Sequence, residues 1–509
     1  MSCFYHDRIL VYSITIKWLL KRGMYYKQLK KEKMHEMRFR IPENLNIDDL
    51  VSQNGYSFYN NKLKKEKLIY ICDALVKSRA KNWSKIEKTG SQFAPLSSEL
   101  LKEVVYDYRK YLDFLLANDI ILSDNYWIEG EKCIGYCFNR LYGGQRLKVV
   151  IVNNYSLKKA RNRSIKRRNE MLKKSTWGYK YLTKWWDSGK LKIDYEAASE
   201  WLDEYEKIKI NKINMDSVNN KEERIKRAIE TTEDLKYLAL LINQEKAYYS
   251  FSGYGHRFYN PITNLKSELR KFLTYDGQPL IEIDVKNSQP FLIPNLFVPS
   301  FWENSRNSGE KLRLKDIDKE LNRIINNNNK LKDIVTFLKT PESLDQQEFE
   351  FKKITDLVMT AQFYEYIQLH FESLYPERFN NRKNVKKEVM RIFYAENIDV
   401  HKPFYKPSKT FQSHFPYVFE LLRLIKEIEY TFLPIILQRI ESYLLLDVIC
   451  KKISERDSGI LTLTIHDSII TTKGNESIVE EIILHEIESW TGYKPRLEME
   501  DLLPLKMAA

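Results

Sequence analysis

Hydrophobic spacing divides the chain into helical and extended stretches. Ser97 and Ser98 stand as N-caps before Leu101, Val104, Val105, Tyr108, Leu112 and Leu115, which recur three and four apart as on one helical face. After Asn118 the pattern alternates from Ile120 to Ile128. A turn at Gly130 then leads to a second apolar stretch through Ile134, Tyr136 and Phe138. Helices followed by a hairpin fit a winged helix-turn-helix, and equally a small α+β module of no specific function. Helical patterns continue from about Thr176 to Gln244, with Trp185, Trp186 and Trp201 as packing anchors. Leu280 to Val285 and Leu461 to Ile465 read as strands, Glu476 to Trp490 as a helix, and Lys494 to Met499 as a last strand. Up to about Leu45 the chain is basic and irregular. Ser305 to Lys332, with the run Asn326 to Asn329, reads as an inserted loop or helical tip.

Composition narrows the class. With 509 residues, 43% of them hydrophobic, the chain has material for two to four cored units, which excludes wholesale disorder. Lysine and arginine total 83 against 69 acids, a surplus of +14. That suits a polyanion such as nucleic acid, and also an ordinary basic protein, so the placement of the charge decides. It concentrates in Lys158, Lys159, Arg161, Arg163, Lys166, Arg167, Arg168, Lys173 and Lys174, opposed only by Glu170. A solvated face and a phosphate-backbone contact both account for such a run, and the contact is the reading favoured. Five scattered cysteines fit a reducing compartment, and Cys133 and Cys137 lack the second pair that zinc requires. The apolar run Ile9 to Leu20 is short and contains Lys17, so neither a secretion signal nor a membrane span is expected, and the expected location is cytoplasmic.

The candidate chemistry lies in three places. Asp284 ends one apolar strand, and Asp467 follows another in Ile465-His466-Asp467-Ser468. Two acids on apolar strands are costly if buried alone, and a metal ion between them resolves that cost. A carboxylate pair holding two magnesium ions about 3.5–4 Å apart serves phosphoryl and nucleotidyl transfer. Between them in sequence, Arg382, Lys386, Met390 and Tyr394 are four apart and form one slowly turning helical stripe. Such a stripe offers cations to a triphosphate and a ring to a base; a solvated amphipathic helix has the same spacing.

In this order the three elements resemble motifs A, B and C of the single-subunit right-hand polymerases, the family A DNA polymerases and bacteriophage-type RNA polymerases. The resemblance extends to Ser252-Gly253-Tyr254-Gly255-His256-Arg257 with Asn260-Pro261 and Asn264-Leu265, to Leu269-Arg270-Lys271-Phe272, and to Leu437-Gln438-Arg439-Ile440-Glu441-Ser442. It covers about residues 245 to 509. It implies an α+β right hand: a palm with an antiparallel sheet, helical fingers and thumb, preceded by a helical, winged-helix-like region. The implied divisions are a basic segment 1–60, a winged-helix-like module 61–150, a basic thumb-like region 151–244, palm 245–300, fingers 301–430 and palm 431–509.

The resemblance also implies roles. Asp284, Asp467 and the Val285 carbonyl would hold two magnesium ions, or manganese in their place. Arg382 and Lys386 would hold the β- and γ-phosphates, and Tyr394 with Met390 would flank the nascent base pair. His466 would position the primer terminus. Arg257 and Gln438 would contact the template-primer, and the Lys158 to Lys174 run would grip the duplex. The implied partners are a DNA or RNA template-primer and nucleoside triphosphates, with no membrane.

Departures matter for the product. Gln289 stands where family A DNA polymerases usually carry the glutamate that excludes a ribose hydroxyl. Met390 and Ser468 lie closer to the RNA enzymes, yet Ala395 follows Tyr394 and motif A lacks their D-W-R-G-R. The identities lean slightly to ribonucleotides, and the product stays open. A DNA-binding regulator or replication organiser with a non-catalytic palm is the alternative. A metal-dependent nuclease would need the same acids but leaves the Tyr394 stripe unexplained.

Overall fold

The structure, a computed structural model, describes residues 36–54, 63–129, 132–216, 220–244, 249–253, 255–303, 312–317, 330–400, 402 and 405–503. Cys3, Ile9 to Leu20, Gly130, Tyr254 and Asn326 to Asn329 lie outside them.

Met37, Phe39 and Ile41 alternate with arginines, so strand β1 (Glu36–Pro42) buries one face. The segment read from sequence as irregular therefore ends in ordered structure. Helix α1 (Lys65–Lys81) packs beneath that strand. The one helix expected after Ser97 is two, α2 (Ser98–Val104) and α3 (Tyr108–Ala117). Ser97 caps the first by accepting from the Leu100 N–H at 3.3 Å, and extended backbone at Val105 breaks the pair. The alternating stretch after Asn118 forms only β2 (Ile121–Ser123), which pairs with β3 (Gly135–Phe138), and Ala94–Pro95 adds a third strand. Strand β4 (Leu147–Asn153) returns to pair with β1.

Four helices follow: α4 (Tyr155–Ser175), α5 (Lys180–Asp187), α6 (Tyr195–Met215) and α7 (Lys221–Gln244). Buried charge fastens α6 and α7 to the N-terminal module. Arg79 of α1 donates to Asp234 at 3.0 Å and Glu230 at 2.8 Å on α7. Arg146 reaches both Glu206 of α6 at 2.9 Å and Glu233 of α7 at 3.0 Å. Removing the arginine strands the acids in a low dielectric. Arg79→Met is therefore expected to destabilise the fold by about 3–5 kcal/mol, read as a lowered urea midpoint; an unchanged midpoint would mean that the network does not join these elements.

The C-terminal half is built on strand β5 (Leu280–Val285). Helices α8 (Arg382–Tyr394), α9 (Pro416–Ile428) and α10 (Phe432–Ser442) follow, the last continuing as a π-helical turn, Tyr443–Ile449. Strands β6 (Leu463–Ile465) and β7 (Ser468–Thr472), helix α11 (Glu476–Thr491) and strand β8 (Leu497–Leu502) complete it. The strands form one antiparallel sheet in the order β6-β7-β5-β8. The last strand lies three residues further on than its sequence pattern indicates, because most of its side chains are exposed and register comes from pairing with β5. Among the described residues no helix is long and apolar enough to cross a membrane.

Candidate active site

The sheet brings the two acids to one end. Asp284 lies near the end of β5, and Asn287, in the left-handed region at φ 55°, turns the chain into the short helix Ser288–Leu292. His466 and Asp467 are the two connecting residues of the β6–β7 hairpin, with His466 at φ 51°. Asp284 faces Ser468 on one side and Glu498 on the other. The Val285 N–H meets the Asp467 carbonyl at 3.4 Å, and the Ser288 hydroxyl donates to Asp467 Oδ2 at 2.6 Å.

The electrostatics of the acids differ. Glu282, two residues before Asp284, accepts from Arg270 at 2.8 and 2.9 Å and from the Ser468 hydroxyl at 2.7 Å. Among the described residues Asp284 has no ion pair or hydroxyl donor of this kind. Burial, then the charges of Asp467, Glu282 and Glu498, push its carboxyl up to about 7, with Lys386 acting in the opposite direction.

Helix α8 reaches Asn287 and Gln289, in the segment that follows β5. Asn381 caps it, accepting from the Asn384 N–H at 2.9 Å. Val385, Val389, Ile392 and Phe393 bury its core face. The stripe runs beside that face, Arg382 and Lys386 exposed, Met390 and Tyr394 partly buried. Arg382 bridges Glu365 at 2.7 Å and Asn287 at 3.2 Å, with its guanidinium 5.0 Å from the centre of the Tyr364 ring. At the other end, the Tyr394 hydroxyl donates to Gln289 Oε1, so ring and amide form one contact beside the acids. Lys426 of α9 fixes the C-terminus of α8 by donating to the carbonyls of Ile392 at 3.0 Å and Ala395 at 3.2 Å.

Sequence reasoning missed Glu441. On α10, three residues after Gln438 and buried, it accepts from Arg257 at 2.7 Å and lies 3.4 Å from the Ser288 hydroxyl. Burial pushes its carboxyl up to about 7, with Arg257 opposing and the Asp467 charge adding to the rise. Its signal was an acid on an otherwise apolar helix. Arg257, expected on the template-primer, spends part of its guanidinium on this acid. Gln438 touches the same loop: a Cβ on Gly255 would sit 2.5 Å from Gln438 Oε1, so glycine there permits the close approach. His466 is largely buried, edge-on to Tyr259 at 6.1 Å, with its titration lowered by burial and by Arg257.

The basic run splits on α4. Arg167 pairs with Glu103 of α2 at 3.3 Å, Lys158 reaches the Glu36 carbonyl at 3.5 Å, and Arg161 lies 6.0 Å from the Phe39 ring centre. These three, with half-buried Arg168, turn toward the N-terminal module, whereas Lys159, Arg163, Lys166, Lys173 and Lys174 are exposed. Lys158, Arg161 and Arg168 are thus partly buried on α4, while Arg167 is exposed but paired.

Among the described residues no group of three or more His, Cys, Asp or Glu side chains could hold a metal ion. Asp284 and Asp467 place two carboxylates at this end of the sheet. They are hard oxygens, and Asp284 is raised first by burial and then by the neighbouring acids. Such a set fits magnesium, which keeps waters and substrate phosphate oxygens around one or two protein carboxylates.

No family model matches the chain, and no curated protein matches it. Among solved structures it is similar to the POL domain of Pol1 from M. smegmatis in complex with DNA primer-template and dNTP, with a TM-score of 0.35 and 8% identity over 68% of this chain and 72% of that chain.

Proposed function

We propose that the chain is a template-directed nucleotidyltransferase that joins nucleoside triphosphates to a 3′-hydroxyl. One observation carries this reading: a strand end and a hairpin turn bring Asp284 and Asp467 together beneath a helix presenting Arg382 and Lys386. Magnesium ions held by Asp284, Asp467 and the Val285 carbonyl would promote loss of the 3′-hydroxyl proton and neutralise charge on the transferred phosphate. Lys386 and Arg382 would bind the β- and γ-phosphates, the fork of the guanidinium matching paired oxygens. Ser288 holds one Asp467 oxygen, orienting the other. His466, partly buried, would position the primer end, while Arg257, oriented by Glu441, would face the template-primer. Exposed cations of α4 would grip the duplex as a thumb does.

The test is extension of primed and unprimed templates with deoxyribonucleoside or ribonucleoside triphosphates. Absence of extension under every combination would overturn the proposal and favour the DNA-binding regulator. Gln289 and Tyr394 together are the proposed sugar contact, and the lean is to ribonucleotides. Gln289→Glu is expected to lower the ratio of ribonucleotide to deoxyribonucleotide incorporation by about tenfold, glutamate being the residue that the resemblance associates with exclusion of a ribose hydroxyl. A ratio unchanged by the substitution would remove Gln289 from that role.

A further inference from the structure

A cleft of about 850 Å³ opens between α4, the end of α5, α7 and the strand pair Ser250–Phe251 and Phe258–Tyr259. Its palm wall is tied to the β6–β7 hairpin. Asn260 donates to the Thr464 carbonyl at 2.7 Å, and Tyr259 meets the His466 ring edge-on. The cleft therefore borders the proposed site from the side of the motif C histidine, without being lined by Asp284, Lys386 or Arg382.

Its lining combines two chemistries. Tyr259, 37% exposed, contributes aromatic surface, and behind the wall the buried Tyr249 hydroxyl is held by Asp187 at 3.3 Å. The α4 wall presents Asn162, Lys166, Asn169 and Lys173, the spacing of one helical face. Lys166 has a loose contact to Glu170 at 3.9 Å, and Lys173 is exposed. Flat aromatic surface suits a heteroaromatic ring. Amides can match its edge, and ammonium groups suit a phosphate. The volume lies in the range of small-molecule sites and suits roughly one or two nucleotides, not a duplex.

We propose that this cleft is a second binding site, for a nucleoside 5′-phosphate unit, taken as a free nucleotide or as the unpaired end of a strand. It goes beyond the polymerase reading and does not depend on it, because it requires neither magnesium nor the acid pair.

The test is calorimetric titration of the full chain in EDTA with nucleoside monophosphates, a single-stranded trinucleotide and inorganic phosphate. Expected is binding of the monophosphate or the trinucleotide, kept in Asp284→Asn/Asp467→Asn and weakened about tenfold in Asn169→Leu/Lys173→Gln. Tighter binding of the trinucleotide would assign the cleft to strand ends, and tighter binding of the monophosphate to free nucleotides. The proposal is overturned if neither nucleotide binds, if inorganic phosphate binds equally well, if the acid-pair variant loses binding, or if the wall variant retains it.

Discussion

Asp467→Ala is expected to lower nucleotide incorporation by about three orders of magnitude, roughly 4 kcal/mol of transition-state stabilisation, while leaving the fold and salt-sensitive nucleic-acid binding intact. The reasoning is local. Asp467 sits in a two-residue hairpin connection, partly exposed, and its side chain accepts from the Ser288 hydroxyl. Alanine removes a negative donor from the proposed metal position and leaves the β6–β7 register unchanged. Ser288→Ala, which frees one Asp467 oxygen without removing the charge, should cost far less. The measurement is single-turnover primer extension at saturating magnesium, with thermal unfolding as the check on folding. Equal extension by Asp467→Ala would sink the catalytic reading. Shortening of the primer by the unaltered chain, lost in the variant, would instead point to a nuclease.

This prediction rests on parts of the chain that the sequence exposes well. Strand β5 reads directly from Leu280-Ile281-Glu282-Ile283-Asp284-Val285, because a strand buried on both faces needs an apolar run. Helix α8 reads from its spacing and the Asn381 cap. What could not be read is what only tertiary approach creates. Glu441 gains its place through a loop 184 residues earlier in the chain, where Arg257 lies. Lys426 caps a helix through carbonyls 34 and 31 residues earlier in the chain. The helix expected across Val104 and Val105 failed for a different reason. Its apolar spacing continues in phase through the break, so periodicity alone carries no sign that Val105 turns extended. β1 shows the opposite case: its alternation is plain, but basic neighbours masked it as a charged tail. Three cations of the Lys158 to Lys174 run, Lys158, Arg161 and Arg168, are likewise partly buried, since net charge says nothing about which face of a helix meets a neighbour.

Asp284→Asn is expected to make the metal-free protein more stable at pH 8, while abolishing the stabilising effect of magnesium. In the unfolded chain an aspartate loses its proton near 3.8, but in this site burial and Asp467 push Asp284 up to about 7. Below pH 3.8 the group is neutral in both states. Between 3.8 and 7 the unfolded chain gives up its proton first, so the folded state is progressively penalised as pH rises, and above 7 the loss is complete. After discounting for the part of the side chain that reaches solvent, the penalty is on the order of 1–3 kcal/mol. Asparagine carries no charge and avoids it. Unfolding midpoints measured in EDTA should therefore favour Asp284→Asn by a few degrees at pH 8, with the gap closing toward pH 4. Magnesium, binding only the folded acid pair, should raise the unaltered protein's midpoint at pH 8 and leave that of the variant unmoved. Matching midpoints at pH 8 in EDTA, or an equal magnesium effect on both proteins, would show that Asp284 is not held beside Asp467 as a cation site. On the proposed reading, the cation that the acid pair would hold offsets this penalty.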